Sequence, residues 1–423
     1  MKKKLLFLLF PIVAFSQGYT SYFTGNTNNI TTTPEFGVCL MGGATEHDNA
    51  MIWLLEKANG GDVVVLRSSG SDGYNDYFYS DLGVNVNSVE TLVITSVAGA
   101  TSPYVLNKVA NAEMIWFAGG DQWNYVSYFK NNALEDLLND HINVKNAPIG
   151  GTSAGMAILG SHYFSAQNGS ITSAQALSNP FHSNLTIGEN DFLEIPFLEN
   201  TITDSHYDSP DRRGRHTAFL ARMTQTINGR SLGIASNEYV AVCFGDDGKA
   251  FVFGDYPAYD EFAYFLQTNC DEVFPETMQN ATPLTWNNNG QAVKVYKVPG
   301  TMNGTHYFNL DDWQTGSGGT WEDWSVNNGT FATASGVINN CALSVNDFAT
   351  TEFTITPVPF QEEINLQNSG KTEFVIYDIQ GRTVIQDSFS DAIKIDTAHL
   401  QSGIYILKVT SNGKTSSQKI IKN

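Results

Sequence analysis

Short apolar runs that stop at small or polar residues recur along this chain. Residues 114–118 (Met-Ile-Trp-Phe-Ala) end at Gly119-Gly120 and the polar pair Asp121-Gln122, which reads as a buried strand followed by a turn. Cys39 and Cys243 sit in similar strand-like runs, residues 239–244 read as another strand, and residues 292–300 as a late one. From Phe353 onward the runs shorten and alternate, at 373–378, 383–386 and 404–409, with turns at Gln380-Gly381 and Asn412-Gly413. That is the pattern of a small β-sandwich-like module. Between the two regions, residues 258–345 are rich in Asn, Gly, Thr and Trp, with turn signals at 286–290 and 315–320. This stretch reads as irregular, with late strands that close the preceding domain near 330–345. No internal repeat is visible.

Residues 1–16 have a basic start, an apolar stretch too short to span a bilayer, and small residues at Ala14 and Ser16. They read as a secretory signal cut between Ser16 and Gln17. No other apolar run approaches the length of a membrane helix, so a soluble mature protein is expected. With 423 residues the chain expects two or three domains, and 42% hydrophobic content is enough for a packed core. A net charge of −20 with 23 Lys+Arg excludes nucleic acid, which needs a basic footprint. The four cysteines have no C-x-x-C spacing and nothing resembles a zinc frame, so neither metal nor organic cofactor is expected. Cys39 and Cys243 read as buried thiols. Cys270 and Cys341, in polar loop-like sequence, are candidates for a disulfide in an oxidising compartment.

The chemistry concentrates at Gly151-Thr152-Ser153-Ala154-Gly155, a G-x-S-x-G frame flanked by apolar residues. On a sharp strand-to-helix turn, such a frame exposes the serine hydroxyl and turns the following amides toward a developing oxyanion. An ordinary Gly/Ser loop would carry the same letters. Downstream, Asp204-Ser-His206 begins a segment that supplies a candidate general base for the Ser153 proton, although a histidine among acids is more often a solvated loop residue.

Taken together, Gly119-Gly-Asp-Gln122, the 151–155 frame, and Asp204-x-His206 with Arg212-x-Gly214-Arg215 resemble the cyanophycinase and aspartyl dipeptidase (dipeptidase E) group of serine peptidases, family S51. The opening turn Leu40-Met-Gly-Gly-Ala44 is similar as well. The resemblance implies a flavodoxin-like α/β fold, a three-layer parallel sheet related to the class I glutamine amidotransferases, over residues 17–345. It implies a Ser-His-Glu triad, and Gly233-Ile-Ala-Ser-Asn-Glu238-Tyr-Val-Ala241 matches the family's acid stretch, so the triad reads Ser153, His206, Glu238. An α/β-hydrolase would order the acid before the histidine. Glu238 as a purely structural residue, and Asp204 as an alternative acid, stay open. Amides near Gly120 and Ala154 would hold the oxyanion, and Gln122, Asp204, Arg212 and Arg215 would shape the substrate pocket. The family pattern departs here at Ser205, in place of Gln, and Pro210, in place of an Arg. Cleavage of short aspartyl peptides, α- or β-linked, with weak or no activity on cyanophycin, is therefore expected. A catalytically inactive cell-surface binding protein on the same fold is the competing reading.

Residues 346–423 resemble the type A sorting domain of the type IX secretion system: Pro357-x-Pro359, Tyr377-Asp-Ile-Gln-Gly381, Leu400-x-x-Gly403-Ile-Tyr405 and the Lys419-Ile-Ile-Lys422 tail. Val358 departs from the usual Pro-Asn-Pro start. The resemblance implies export through the periplasm by that machinery to the exterior or cell surface. A carbohydrate-binding or adhesion sandwich would share the strand pattern. The chain is compatible with a homodimer.

Overall fold

The computed structural model describes residues 17–338, 353–378, 381–411 and 414–423. The expected signal at 1–16, Cys341, and the turn residues Gln380, Asn412 and Gly413 lie outside the described residues. Two compact units, Met1–Asn340 and Cys341–Asn423, divide the chain.

The first unit holds two sheets. One runs in the spatial order β1-β4-β3-β5-β6-β2-β11-β12-β15-β16. Its strands are β1 (Tyr19–Gly25), β2 (Val38–Met41), β3 (Asp62–Arg67), β4 (Ser88–Ile94), β5 (Met114–Phe117), β6 (Ile149–Thr152), β11 (Ala241–Phe244), β12 (Lys249–Phe253), β15 (His306–Asn309) and β16 (Gly316–Ser317). The central run β4-β3-β5-β6-β2 is parallel throughout. Renumbered from β3, that order is 2-1-3-4-5, the flavodoxin arrangement, with β2, the earliest of these five strands in sequence, occupying the fifth place. The fold is therefore α/β and doubly wound, with a permuted entry.

Strands covered on both faces must be apolar along their whole length, and β2, β5 and β6 are buried at every position. Alternate residues serve opposite faces. Val64, Leu66, Ile115 and Phe117 pack against α3 (Pro103–Asn111), α4 (Gln122–Phe129) and α5 (Ala133–Asn143), numbered after α1 (Asp48–Glu56) and α2 (Val97–Ala100). Val63, Val65, Met114 and Trp116 pack against α1 on the other face. That makes three layers. The helices start where their caps dictate: Ser102 accepts from Val105 N–H with Pro103 at the first helical position, and Asn132 accepts from Leu134 N–H.

The second sheet runs β18-β17-β14-β13-β10-β9-β7-β8. It comprises β7 (His162–Phe164), β8 (Ile187–Glu189), β9 (Thr201–Asp204), β10 (Leu232–Ser236), β13 (Phe262–Thr268), β14 (Val293–Pro299), β17 (Thr320–Asn327) and β18 (Thr330–Ser335). Strand β9 is parallel to both β7 and β10, and the remaining pairs are antiparallel. The remaining helices are α6 (Ala154–Ala157), α7 (Ser173–Ser178) and α8 (Arg213–Ile227).

Two expectations need correction here. Residues 258–335 are more regular than expected: apart from the irregular 269–287 they supply β13 to β18 and finish both sheets, because aromatic and β-branched residues such as Tyr296, Trp324 and Val326 are buried between Asn/Gly-rich turns. The strand expected at 239–244 begins only at Ala241, since Glu238 and Tyr239 form a turn. Cys39 and Cys243 face each other across β2 and β11 as buried free thiols, and Cys270 is disulfide-bonded.

The second unit is an antiparallel sheet of β19 (Thr354–Thr356), β20 (Glu363–Asp378), β21 (Thr383–Asp396), β22 (Gly403–Ser411) and β23 (Lys414–Lys422). Its strands are longer than the alternation suggests. A register shift between Asn368 and Lys371 divides β20 into one half paired with β19 and another paired with β22, and β21 pairs with both. Phe360, Leu366, Phe374, Ile376, Leu407 and Ile420 are among its buried core.

Candidate active site

In a doubly wound sheet the carboxyl ends of the parallel strands converge on one crevice. Here those ends carry Gly42-Gly43 after β2, Gly119-Gly120 beyond β5 and Ser153 directly after β6, and His206 and Glu238 lie just past β9 and β10 of the second sheet.

Ser153 joins β6 to α6 at φ 54°, ψ −114°, a left-handed conformation that a residue with a Cβ holds only when its surroundings force it. The frame glycines permit the turn by close approach. A Cβ on Gly151 would lie 2.6 Å from the Gly155 carbonyl carbon, and one on Gly155 would lie 2.2 Å from the Phe117 oxygen. The Ser153 N–H donates to Met41 O at 3.1 Å, which ties the elbow to the end of β2.

His206 is set by the neighbouring glycines. Its N–H donates to Gly42 O at 2.7 Å and its φ is 46°. The Tyr239 N–H donates to Gly43 O at 3.0 Å, and Glu238 N–H donates to the Asp208 carboxylate at 3.0 Å. These anchors bring three side chains into line. His206 Nδ1 lies 2.6 Å from Glu238 Oε1, and its Nε2 lies 2.8 Å from Ser153 Oγ. With the Nδ1–H donated to the carboxylate, Nε2 is left to accept the serine hydroxyl. His206 and Glu238 keep 24% and 27% of their side-chain exposure, so the line is open to a ligand. Beside it, a Cβ built on Gly119 would fall 3.6 Å from Ser153 Cβ. Among the described residues neither the Gly120 nor the Ala154 N–H has a hydrogen-bond acceptor.

The substrate residues expected from sequence separate. Asp204 and Arg215 are 2% and 5% exposed and bind each other bidentately, at 2.9 Å and 2.5 Å. The remaining Arg215 nitrogen donates to Ile171 O, and the guanidinium lies over Phe164 and Phe219. All three guanidinium nitrogens are engaged inside the protein, so the pair stands as a buried ion pair; its charges look free in sequence because sequence does not report burial. Burial alone would raise the Asp204 pKa, but the Arg215 guanidinium outweighs it and holds the carboxyl below its ordinary value. Arg212 stays partly exposed, gives one N–H to Ser205 O at 2.9 Å, and has its pKa lowered by burial and by the charge of Arg215. Gln122 opens α4 and donates to Phe164 O at 3.1 Å.

Sequence reasoning passes over two features of the site. One is a cleft of about 900 Å³ beside Glu238, lined by Glu46, Asp48, Asp208, Asp255, Asp260 and Glu261 with no Lys or Arg. Its acids come from four separate segments, so no local charge run announces it. The other is Gly43, at φ +113°, where a Cβ would fall 2.4 Å from His206 Nε2. The Leu40–Ala44 turn points toward this position without naming it. Gly43→Ala is expected to displace the imidazole and lower kcat/KM about 100-fold, the effect of a misplacement near 1 Å, with the fold retained. Parallel kinetics and thermal melts check it.

Comparison with known proteins bears on both units. The family model for peptidase family S51 matches residues 69–247, and that for the secretion system C-terminal sorting domain matches residues 354–423. A cyanophycinase from Synechococcus elongatus is 26% identical over 183 residues, 43% of this chain and 50% of that protein. A beta-agarase D from Zobellia galactanivorans is 34% identical over 73 residues, 17% of this chain and 15% of that protein. The chain thus spans about half the length of the first relative and much less of the second. A solved peptidase from an acI-B1 Actinobacterium aligns at 15% identity and a TM-score of 0.40, over 57% of this chain and 96% of that one. Residues 69–247 of the first unit thus resemble peptidase family S51, and residues 354–423 match a secretion system C-terminal sorting domain, which marks the chain for secretion to the exterior or the cell surface.

Proposed function

We propose that this protein is a secreted serine peptidase that hydrolyses aspartyl peptides through an acyl-enzyme on Ser153. The observation that carries the reading is the unbroken line from Glu238 to His206 to Ser153, at 2.6 and 2.8 Å. As Ser153 Oγ bonds to the substrate carbonyl carbon, its proton passes to His206 Nε2, and Glu238 steadies the imidazolium through Nδ1–H. The Gly120 and Ala154 amides receive the oxyanion. The leaving amine takes the proton from Nε2 as the C–N bond breaks, and water, deprotonated by the same nitrogen, releases the acid and restores the serine.

The acidic cleft bears on the leaving group. Six carboxylates beside Glu238 set a field against another acid and favour a neutral or basic residue there. Arg212, partly exposed on the His206 segment, meets a substrate carboxylate in this reading. A panel of α- and β-aspartyl dipeptides with acidic, neutral and basic second residues, together with cyanophycin, tests the reading. Hydrolysis of an aspartyl dipeptide with an acidic second residue faster than all others would sink the cleft's role. No hydrolysis of any member, with no acylation of Ser153, would leave an inactive binding protein on this fold.

Export through the periplasm by the type IX machinery is the further part of the proposal. Deleting residues 354–423 is expected to trap an active enzyme in the periplasm of the native host, because the catalytic line lies wholly within the first unit. Fractionation with an activity assay reads this out, and normal release of the truncated protein refutes it.

A further inference from the structure

Ser68 stands directly after β3, whose Leu66 pairs with Phe117 of β5, so it reaches the same crevice as Gly119-Gly120. The residue is 5% exposed and its hydroxyl has no hydrogen-bond partner among the described residues. A Cβ built on Gly120 would lie 3.3 Å from Ser68 Oγ, which puts the hydroxyl against the glycine assigned above to the oxyanion. Arg67 holds the loop that follows, with Nε donating to Ser69 O at 3.0 Å and Nη1 to Ser71 O at 2.9 Å. The hydroxyl is therefore buried, unpartnered and carried on a braced segment. A buried polar group left without a protein partner takes one from solvent or from a ligand, and Ser68 is the one of these groups that lies against Gly120.

We propose that Ser68 is a specificity-determining residue whose hydroxyl donates to the side-chain carboxylate of the substrate residue that acylates Ser153. This rests on the serine-nucleophile reading above. A substrate whose carbonyl oxygen points at the Gly120 and Ala154 amides has the side chain of that same residue next to Gly120, where Ser68 is the buried donor at hand. Arg215, the donor suggested by sequence, is spent on Asp204. A hydroxyl facing a carboxylate makes a charge-assisted bond that an uncharged amide side chain would not match.

The test uses the full chain and a fluorophosphonate that acylation-competent serines capture. The labelling rate of Ser153 is followed with N-acetyl-aspartate or N-acetyl-asparagine as protecting ligand. In the wild type, N-acetyl-aspartate is expected to protect at lower concentration than N-acetyl-asparagine. Ser68→Ala is expected to reduce that preference about 10- to 100-fold, the range for one lost charge-assisted hydrogen bond, and Ser68→Thr to restore most of it. Labelling of Ser153 in each variant reports that the site is assembled. A preference unchanged in Ser68→Ala, a loss equally deep in Ser68→Thr, or no preference in the wild type overturns the role of Ser68 while leaving the nucleophile intact. A wild type that does not label at Ser153 overturns the nucleophile reading itself, and this inference with it.

Discussion

Ser153→Ala is expected to lower hydrolysis of an aspartyl dipeptide by about 10⁴- to 10⁶-fold while the thermal midpoint barely moves. The size follows from what the hydroxyl does: without Oγ no acyl-enzyme forms, and only the oxyanion amides and substrate binding remain to act on water. Stability changes little because alanine keeps the Cβ at the φ 54° elbow, and the hydroxyl's bond to His206 is worth on the order of 1 kcal/mol. His206→Ala is expected to be about as damaging, and the double variant no worse than either, since members of such a line act as a unit. Glu238→Ala is expected to cost less, because the imidazole keeps its seat through its main-chain bond to Gly42 O. Amine release and fluorophosphonate labelling measure these effects, and a Ser153→Ala protein that hydrolyses at the wild-type rate excludes the nucleophile.

How much of this was readable in advance depends on the range of the interaction involved. The elbow is a local event, five residues whose small side chains permit one turn, so Gly151 to Gly155 announce it by themselves. The strand at 114–118 and its glycine turn are equally local. His206 is 53 residues from Ser153 and 32 from Glu238, and no periodicity links them; only the order of motifs in a resembling family joins the three. Charge misleads where burial decides. Asp204 and Arg215 look like substrate contacts because ionic side chains are usually exposed, yet 11 residues apart, across the end of β9 and the first turn of α8, they close on each other inside the protein. The acids of the cleft were invisible for the opposite reason, coming in ones and twos from segments between Glu46 and Glu261. In the second unit, alternation marks the strands but not the bulge that lets β20 run on through Asn368 and Lys371.

Arg215→Ala is expected to destabilise the first unit by about 3–5 kcal/mol, because it strips the buried Asp204 carboxylate of its bidentate partner and leaves it only the longer 3.8 Å contact with Arg212. Against a usual total of about 5–15 kcal/mol, such a loss should lower the thermal midpoint by many degrees. Removing both charges is the discriminating control. Asp204→Asn combined with Arg215→Met should recover much of the lost stability, since a buried ion pair replaced by neutral groups of similar size is often close to neutral. If the pair is structural, activity per folded molecule should also recover in the double variant; a substrate arginine would leave it inactive at wild-type stability. Acid titration gives an independent check with a definite sign. The folded Asp204 pKa lies below its ordinary value, so its contribution is complete above about 3.8 and is lost as pH falls through the folded value. The neighbouring buried His216 acts over an earlier window. Burial lowers its pKa from 6.5 to about 4, so the unfolded chain takes up that proton first and stability falls as pH drops from 6.5 toward 4. His216→Phe is expected to flatten the upper part of the wild-type stability profile, and Arg215→Ala the part below about pH 3.8, where Asp204 no longer holds a depressed pKa. Denaturant midpoints between pH 3 and 7 measure both, and an Arg215→Ala protein that matches wild-type stability throughout while losing only aspartyl-peptide hydrolysis would return this arginine to the substrate.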